Sequence, residues 1–137
     1  MPDRSFLDTN VLVYTDDGDA DEKKAAALDL FARLRRERTG VVSTQVLQEY
    51  FVASTRKLGV ASDTARRKVQ LFSRLEVVVI DTKQIVGAID LARLHKLSFW
   101  DALIIRSALD VNCRVLYSED LQPDRRIDGL RIVNPFA

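Results

Sequence analysis

Apolar and polar residues fall along this chain in blocks that predict short strands separated by helices. Arg4-Ser5-Phe6-Leu7 reads as a strand ending at Asp8, and Asn10-Val-Leu-Val-Tyr14 as a brief helix or turn. Asp16 to Glu22 is an acidic loop, after which Ala27, Phe31 and Leu34 recur at i, i+4 and i+7 and predict a helix that Thr39-Gly40 stops. Val41-Val42 is a small strand. Ser43 or Thr44 can cap the next helix, with Leu47, Phe51 and Leu58 as its apolar stripe and Gly59 as its end. Ser62 is the expected cap of another helix, which carries Val69, Phe72 and Leu75. Glu76-Val-Val-Val-Ile80 is a continuous β-branched run of the kind buried on both faces of a parallel sheet, closed by Asp81. Ile85, Ile89 and Ala92 mark one side of a following helix, and Leu103, Ile104, Ala108 and Val111 mark another that starts at Ser98. Arg114-Val-Leu-Tyr117 is a fourth strand and Leu130-Arg-Ile-Val133 a fifth. Strands alternating with helices predict an α/β fold, a three-layer α/β/α sandwich on a mostly parallel five-stranded sheet. No repeat, linker or low-complexity tract divides the chain, so residues 1–137 are expected to form a single domain.

Composition narrows the functional classes. An apolar fraction of 47% beside 30% charge is that of an ordinary globular domain, and no apolar run approaches the ~18 residues of a membrane span. Met1-Pro2-Asp3-Arg4 leads directly into the first strand without the apolar core of a secretory signal, so a cytoplasmic location is expected. The chain has one cysteine, Cys113, and one histidine, His95, which excludes an intramolecular disulfide and a structural zinc site. Cys113 reads as a small buried hydrophobe and His95 as a surface residue at a helix end. The 21 basic and 20 acidic residues nearly cancel, so net charge alone carries no nucleic-acid footprint.

Chemistry is more informative than charge. In open parallel sheets the ligand site lies beyond the carboxyl ends of the strands, and four acids fall at such places. Asp8 closes the first strand, Glu49 lies in the second turn of the helix after the second, Asp101 in the first turn of the Ser98 helix, and Asp120 just after the fourth strand. Each of three has a bland explanation: Asp8 as a helix cap, Asp101 as half of a Ser98-x-x-Asp101 capping box, Asp120 as a turn residue. Glu49, beyond the first turn and between Leu47 and Phe51, has none. Carboxylates brought together repel, and a hard divalent cation relieves them; magnesium or manganese suits an all-oxygen donor set.

The same residues carry a family resemblance. Phe6-Leu-Asp-Thr-Asn-Val-Leu-Val-Tyr14 resembles the opening motif of PIN-domain ribonucleases, particularly VapC-type toxins. Ser43-Thr-Gln-Val-Leu-Gln-Glu49-Tyr-Phe is similar to the second motif, Ser98-Phe-Trp-Asp101-Ala-Leu-Ile to the third, and Leu116-Tyr-Ser-Glu-Asp120-Leu-Gln to the fourth. The closing Ile127 to Phe136 resembles the tail of many such toxins, although Gln122-Pro123-Asp124 departs from a more flexible turn often found there. The resemblance implies that Asp8, Glu49, Asp101 and Asp120 hold the metal, with Thr9 or Asn10 and Ser118 as supporting hydrogen-bonding groups. It favours Asp120 over its neighbour Glu119. It also implies endonucleolytic cleavage of RNA leaving a 5′-phosphate and a 3′-hydroxyl, a small protein antitoxin as partner, and a homodimer.

A lone His95 leaves no two-histidine acid/base mechanism, so the attacking water must be activated by metal, carboxylate or both. A dehalogenase-like phosphatase needs a second aspartate where Asn10 stands. A phosphorylatable receiver domain needs paired acids after its first strand and a lysine after its fifth, where the chain has Asn134. Asp17, Asp19 and Asp21 have calcium-loop spacing, but Glu22 occupies the required glycine position and Leu28 the twelfth. The main non-enzymatic alternative is an inactive PIN-like module that binds RNA or a protein. Arg33, Arg35, Arg36 and Arg38, and Arg66-Arg-Lys68, read as solvated helix faces that also offer phosphate contacts.

Overall fold

Phe6 and Leu7, both fully buried, lie in the middle of the sheet, and the remaining elements are laid down on either side of them. The computed structural model describes residues 3–137; Met1 and Pro2, which begin the segment expected to lead directly into the first strand, lie outside the described residues. The elements are β1 (Ser5–Leu7), α1 (Thr9–Tyr14), α2 (Asp21–Glu37), β2 (Gly40–Ser43), α3 (Thr44–Lys57) and α4 (Ser62–Phe72), followed by β3 (Glu76–Val78), α5 (Thr82–His95), α6 (Phe99–Asp110), β4 (Val115–Tyr117), β5 (Arg126–Ile127) and β6 (Leu130–Val133). The strand order is β3-β2-β1-β4-β6-β5, and only the β5–β6 pair is antiparallel. Every residue of β1 and β2 is buried. Successive side chains leave a strand on opposite faces, so both faces of the central sheet are covered, as a three-layer sandwich requires.

The sheet has six strands where the hydrophobic pattern predicts five. The additional strand, β5, is two residues long, too short to show a period. Its signal is the turn: Asp128-Gly129 joins β5 to β6 with φ of 49° and 89°, the positive values that a two-residue hairpin loop demands.

Several assignments move by a residue or a face. The Glu76–Ile80 run is a strand only to Val78 and sits at the sheet edge, with Val79 66% exposed; its composition resembles a central strand but topology places it outside. In α3 the buried face is Val46, Tyr50 and Ser54, while Leu47, Phe51 and Leu58 are half-buried. Tyr50 packs edge-to-face on Phe72, with ring centroids 4.9 Å apart, and its hydroxyl donates to the Asp16 carboxylate. Lys68 Nζ lies 3.0 Å from the same carboxylate, so neither Asp16 nor Lys68 belongs to a freely solvated surface. Ser62 begins α4 but Ala61 holds the cap position, without a side-chain bond. Ile85 and Ile89 of α5 face outward, and Ala88 and Leu91 form its core side.

Cys113 is buried as expected, and burial pushes its thiol up to about 12. His95 ends α5 but is half-buried, and its Nε2 is enclosed without a hydrogen-bond partner among the described residues. No helix of the described residues is long and apolar enough to cross a membrane.

Candidate active site

β1 and β4 are neighbours in register, Leu7 opposite Tyr117, so the residues that follow them, Asp8 and Ser118, leave the sheet side by side. From β1 the chain builds outward through β2 and β3, then returns to place β4 on the other flank of β1. That reversal is the switch point where open α/β sheets offer a crevice. The Asp8 amide still donates to the Tyr117 carbonyl at 3.0 Å, and the residue then turns to cap α1, its Oδ1 accepting from the Thr9 amide at 2.7 Å. Capping is therefore one role of Asp8.

Its second oxygen has other partners. Asp8 Oδ2 accepts from Ser118 Oγ at 2.8 Å and from Asn10 Nδ2 at 3.3 Å. Asn10 Nδ2 also stands 3.2 Å from Asp120 Oδ2 and 3.3 Å from Ser118 Oγ, while Asn10 Oδ1 accepts from the Glu119 amide at 3.0 Å. Ser118 Oγ accepts the amides of Asp120 and Leu121 at 3.2 and 3.4 Å. Asn10 and Ser118 thus clamp the turn after β4 onto the start of α1. An aspartate at position 10 would lack the amide hydrogens that reach two carboxylates at once.

Glu49 reaches the same place from α3. Ser43 caps that helix, its Oγ accepting from the Val46 amide at 3.3 Å, which sets Glu49 one turn further in; Glu49 Oε1 accepts from Thr9 Oγ1 at 2.8 Å. Asp101 comes from the first turn of α6, where Ser98 Oγ accepts from the Asp101 amide at 3.1 Å. Among the described residues no hydrogen bond reaches the Asp101 carboxylate, so the reciprocal half of a capping box is not made. All four acids line one cavity of about 860 Å³.

Electrostatics separates the members. Burial pushes the Asp8 carboxyl up from 3.8 to about 6, against the hydrogen bonds from Ser118 and the Thr9 amide, and the charges of Glu49 and Asp120 add to the rise. Glu119 behaves oppositely. Its oxygens accept from Tyr14 Oη at 2.7 Å and Lys23 Nζ at 2.6 Å. Burial alone would raise the Glu119 carboxyl, but these bonds outweigh it and hold the group below the usual carboxylate range. Glu119 is thus neutralised by a lysine while Asp120 bonds to the asparagine that also holds Asp8, which separates the two adjacent acids.

The donor set is all oxygen, as a hard divalent ion prefers. No three acid, histidine or cysteine side chains among the described residues stand close enough to enclose an ion unaided. Magnesium suits such an open arrangement, because it keeps several waters and needs only one or two carboxylates alongside substrate phosphates. Sequence reasoning missed part of the cavity wall: Gln45, Gln48, Arg56 and Lys57 of α3, and the exposed Trp100. Trp100 stood in view inside the Ser98-to-Asp101 motif; the α3 residues are recognisable only once Glu49 fixes which face of that helix looks inward.

The PIN domain family model matches residues 5–128, and the chain belongs to the PIN domain family. No curated protein matches it significantly. Among solved structures it is similar to a toxin-antitoxin complex from Klebsiella pneumoniae (21% identity, 96% of this chain and 97% of that one, TM-score 0.68). It is also similar to VapC20 of Mycobacterium tuberculosis, a toxin that cleaves the sarcin-ricin loop (20% identity, 85% and 89% covered, TM-score 0.66). A third is the DNA-bound VapBC complex of Salmonella typhimurium (23% identity, 96% and 97% covered, TM-score 0.66). At these identities the likeness is one of fold.

Proposed function

We propose that this chain is a magnesium- or manganese-dependent endoribonuclease acting in the cytoplasm as the toxin of a toxin-antitoxin pair. The observation that carries this reading is the convergence of Asp8, Glu49, Asp101 and Asp120 on one cavity, with the buried Asp8 carboxyl raised partly by its neighbours' charge. Toxin components among its structural neighbours support the toxin role.

In this reading Asp8, Glu49, Asp101 and Asp120 would surround the ion, some of them through its waters, and Thr9, Asn10 and Ser118 orient Asp8, Glu49 and Asp120. A bound divalent cation supplies a lowered pKa for water and charge stabilisation at the phosphoryl and leaving oxygens. Ser118 Oγ and the Thr9 amide fix both oxygens of Asp8, so its ionised form is presented to the cavity in one orientation. Thr9 does the same for one oxygen of Glu49. Asn10 holds Asp120 toward Asp8 despite their like charge. No side-chain nucleophile is required.

Incubating the purified chain with its host's total RNA should generate new ends in magnesium and none with chelator, and sequencing should show 5′-phosphates. Expression without a partner should slow growth, and a small antitoxin whose tail covers the acids should restore it. Cleavage unaffected by chelator would sink the metal role; a chain that cuts RNA yet is harmless at high expression would sink the toxin role alone.

We also assign a homodimer, supported by the outward face of α5, where Ile85, Val86, Ile89 and Leu94 are 39, 53, 44 and 75% exposed. Light scattering on the purified protein should give twice the 15.5 kDa of one chain, and Ile89→Lys should return it to one.

A further inference from the structure

Glu119 lines the same cavity as Asp8, Glu49, Asp101 and Asp120, yet its carboxylate is drawn to different partners. One face of α1 holds both ends of the residue. The Glu119 amide donates to Asn10 Oδ1 at 3.0 Å, and Glu119 Oε1 accepts from Tyr14 Oη at 2.7 Å. Asn10 and Tyr14 stand at i and i+4, one turn apart on the same side of the helix. Lys23 Nζ completes the clamp, 2.6 Å from Glu119 Oε2 and 3.4 Å from Tyr14 Oη. The tail after β6 closes over it: Phe136 meets Tyr14 edge-to-face, centroids 4.9 Å apart, and Lys23 Nζ lies 5.0 Å from the Tyr14 centroid and 5.9 Å from that of Phe136. Stability does not explain this arrangement. The Lys23 side chain is 42% exposed, and an ion pair so open to water contributes little. Lys23 also sits in the first turn of α2, where a cation opposes the helix dipole. Its neighbour in space is what distinguishes it: the asparagine that receives the Glu119 amide also holds Asp8 and Asp120, so the adjacent acids 119 and 120 are fastened to one side chain and differ in where their carboxylates are pulled.

We propose that Lys23 and Tyr14 are positioning residues that hold Glu119 away from the cation, so that four carboxylates and not five face it and Asp120 is the acid presented after β4. The assignment rests on the metal reading above and adds what limits the number of acids. Affinity for a hard cation rises with the number of charged oxygen ligands, so a fifth carboxylate would tighten binding. It would do so at the expense of turnover. Magnesium works with one or two carboxylates because its other positions are left to water and substrate phosphate, and a further negative charge would fill such a position and repel the phosphodiester. The clamp thus sets a weaker but open ion site, and loosening it should strengthen ion binding while slowing cleavage.

Calorimetric titration of the purified chain with manganese alone, without RNA, tests this. Lys23→Met should bind the ion about ten-fold more tightly than the parent, the size of effect usual for a group one step removed from a metal. Tyr14→Phe removes one hydrogen bond to Glu119 and no charge, and should tighten binding by a smaller factor. The double variant Lys23→Met/Glu119→Gln has the net charge of the parent and an amide in place of the released acid, and should return to the parental affinity. Loss of a nearby positive charge could by itself attract the ion, but in about 1 M salt such action at a distance is screened beyond about 3 Å, whereas direct ligation is not. The ratio between Lys23→Met and parent should therefore persist there. Cleavage at saturating magnesium should fall in Lys23→Met and recover in the double variant. A clamp that only supports the fold would lower the melting temperature of Lys23→Met and Tyr14→Phe and leave manganese affinity at the parental value, which overturns the proposal. So does a gain that disappears in high salt, or one that the double variant retains. A parent that binds no divalent ion overturns the metal reading and this inference together; a parent that binds it, with Lys23→Met and Tyr14→Phe equal to it, overturns this inference alone.

Discussion

Asp8→Asn is expected to abolish RNA cleavage and, at neutral pH without metal, to make the protein more stable. Removing the outer partners of metal ligands costs about 10- to 100-fold in affinity or activity, so losing a ligand should cost more than about 100-fold. The stability change follows from the raised carboxyl. A group whose folded-state value, about 6, exceeds its ordinary 3.8 binds its proton more tightly in the folded chain. Its favourable contribution is complete below pH 3.8, declines as pH rises through about 6, and is absent above that. The rise corresponds to about 3 kcal/mol, an upper bound for the gain on removing the charge. Asparagine accepts through one oxygen where Asp8 accepts through two, from Thr9 and from Ser118, so a net gain of about 1 kcal/mol is expected. Melting curves of parent and variant in chelator should therefore separate at pH 8 and converge near pH 4. Magnesium should raise the parent's curve and leave the variant's nearly unmoved. At limiting magnesium, parental cleavage should fall as pH drops through about 6, and saturating magnesium should move that fall to lower pH, because ion and proton compete for one carboxylate. Asp101→Asn should lose activity equally but lack the stability gain, since Asp101 lies outside the hydrogen-bond network around Asp8. A folded Asp8→Asn chain that cuts RNA at a parental rate removes the central acid from the site.

The four acids were legible because their positions follow from strand ends and helix starts, which a short apolar run and a capping serine mark in the sequence. What joins them was not. Asn10 meets Ser118, Glu119 and Asp120 across more than a hundred residues, and no local pattern encodes that contact. The misassigned apolar faces share one cause: amphipathic spacing shows that a helix has an apolar side but not what covers it. Ile85 and Ile89 repeat as a core stripe should, yet they face outward while small Ala88 faces inward, the arrangement of a helix packed closely on one side and available to a partner on the other. The Glu76–Val78 strand errs similarly, because β-branched composition reports a strand without reporting its rank in the sheet. In α3 the true core position, Tyr50, carries a hydroxyl whose partner, Asp16, lies elsewhere in sequence, so the tyrosine read as less apolar than its neighbour Phe51.

Glu49→Gln isolates the acid with the weakest purely structural explanation. Glutamine keeps the length of the side chain and an oxygen able to accept from Thr9 Oγ1, so the 2.8 Å bond survives and only a negative charge is lost. That charge contributes to the raised Asp8 carboxyl, and the variant's Asp8 should titrate nearer the ordinary carboxylate value, which a carbon-detected NMR titration can follow. Without metal the stability should be unchanged or slightly higher as repulsion falls. With metal the sign reverses. An ion that binds only the folded chain stabilises it by RT ln(1 + [M]/Kd), so a ten-fold weaker site loses about 1.4 kcal/mol of that stabilisation at saturating concentrations. The parent should therefore melt higher than the variant in millimolar magnesium or manganese, and equal to or below it in chelator. A surface glutamate would show neither effect. A glutamate held by an ion pair with an arginine would lose stability in chelator, but its bonded partner here is the Thr9 hydroxyl. Melting curves across a magnesium titration, with RNA cleavage measured on the same samples, distinguish the three cases. Equal metal-induced shifts and equal cleavage rates in parent and Glu49→Gln would place Glu49 outside the site and leave Thr9 as its structural anchor alone.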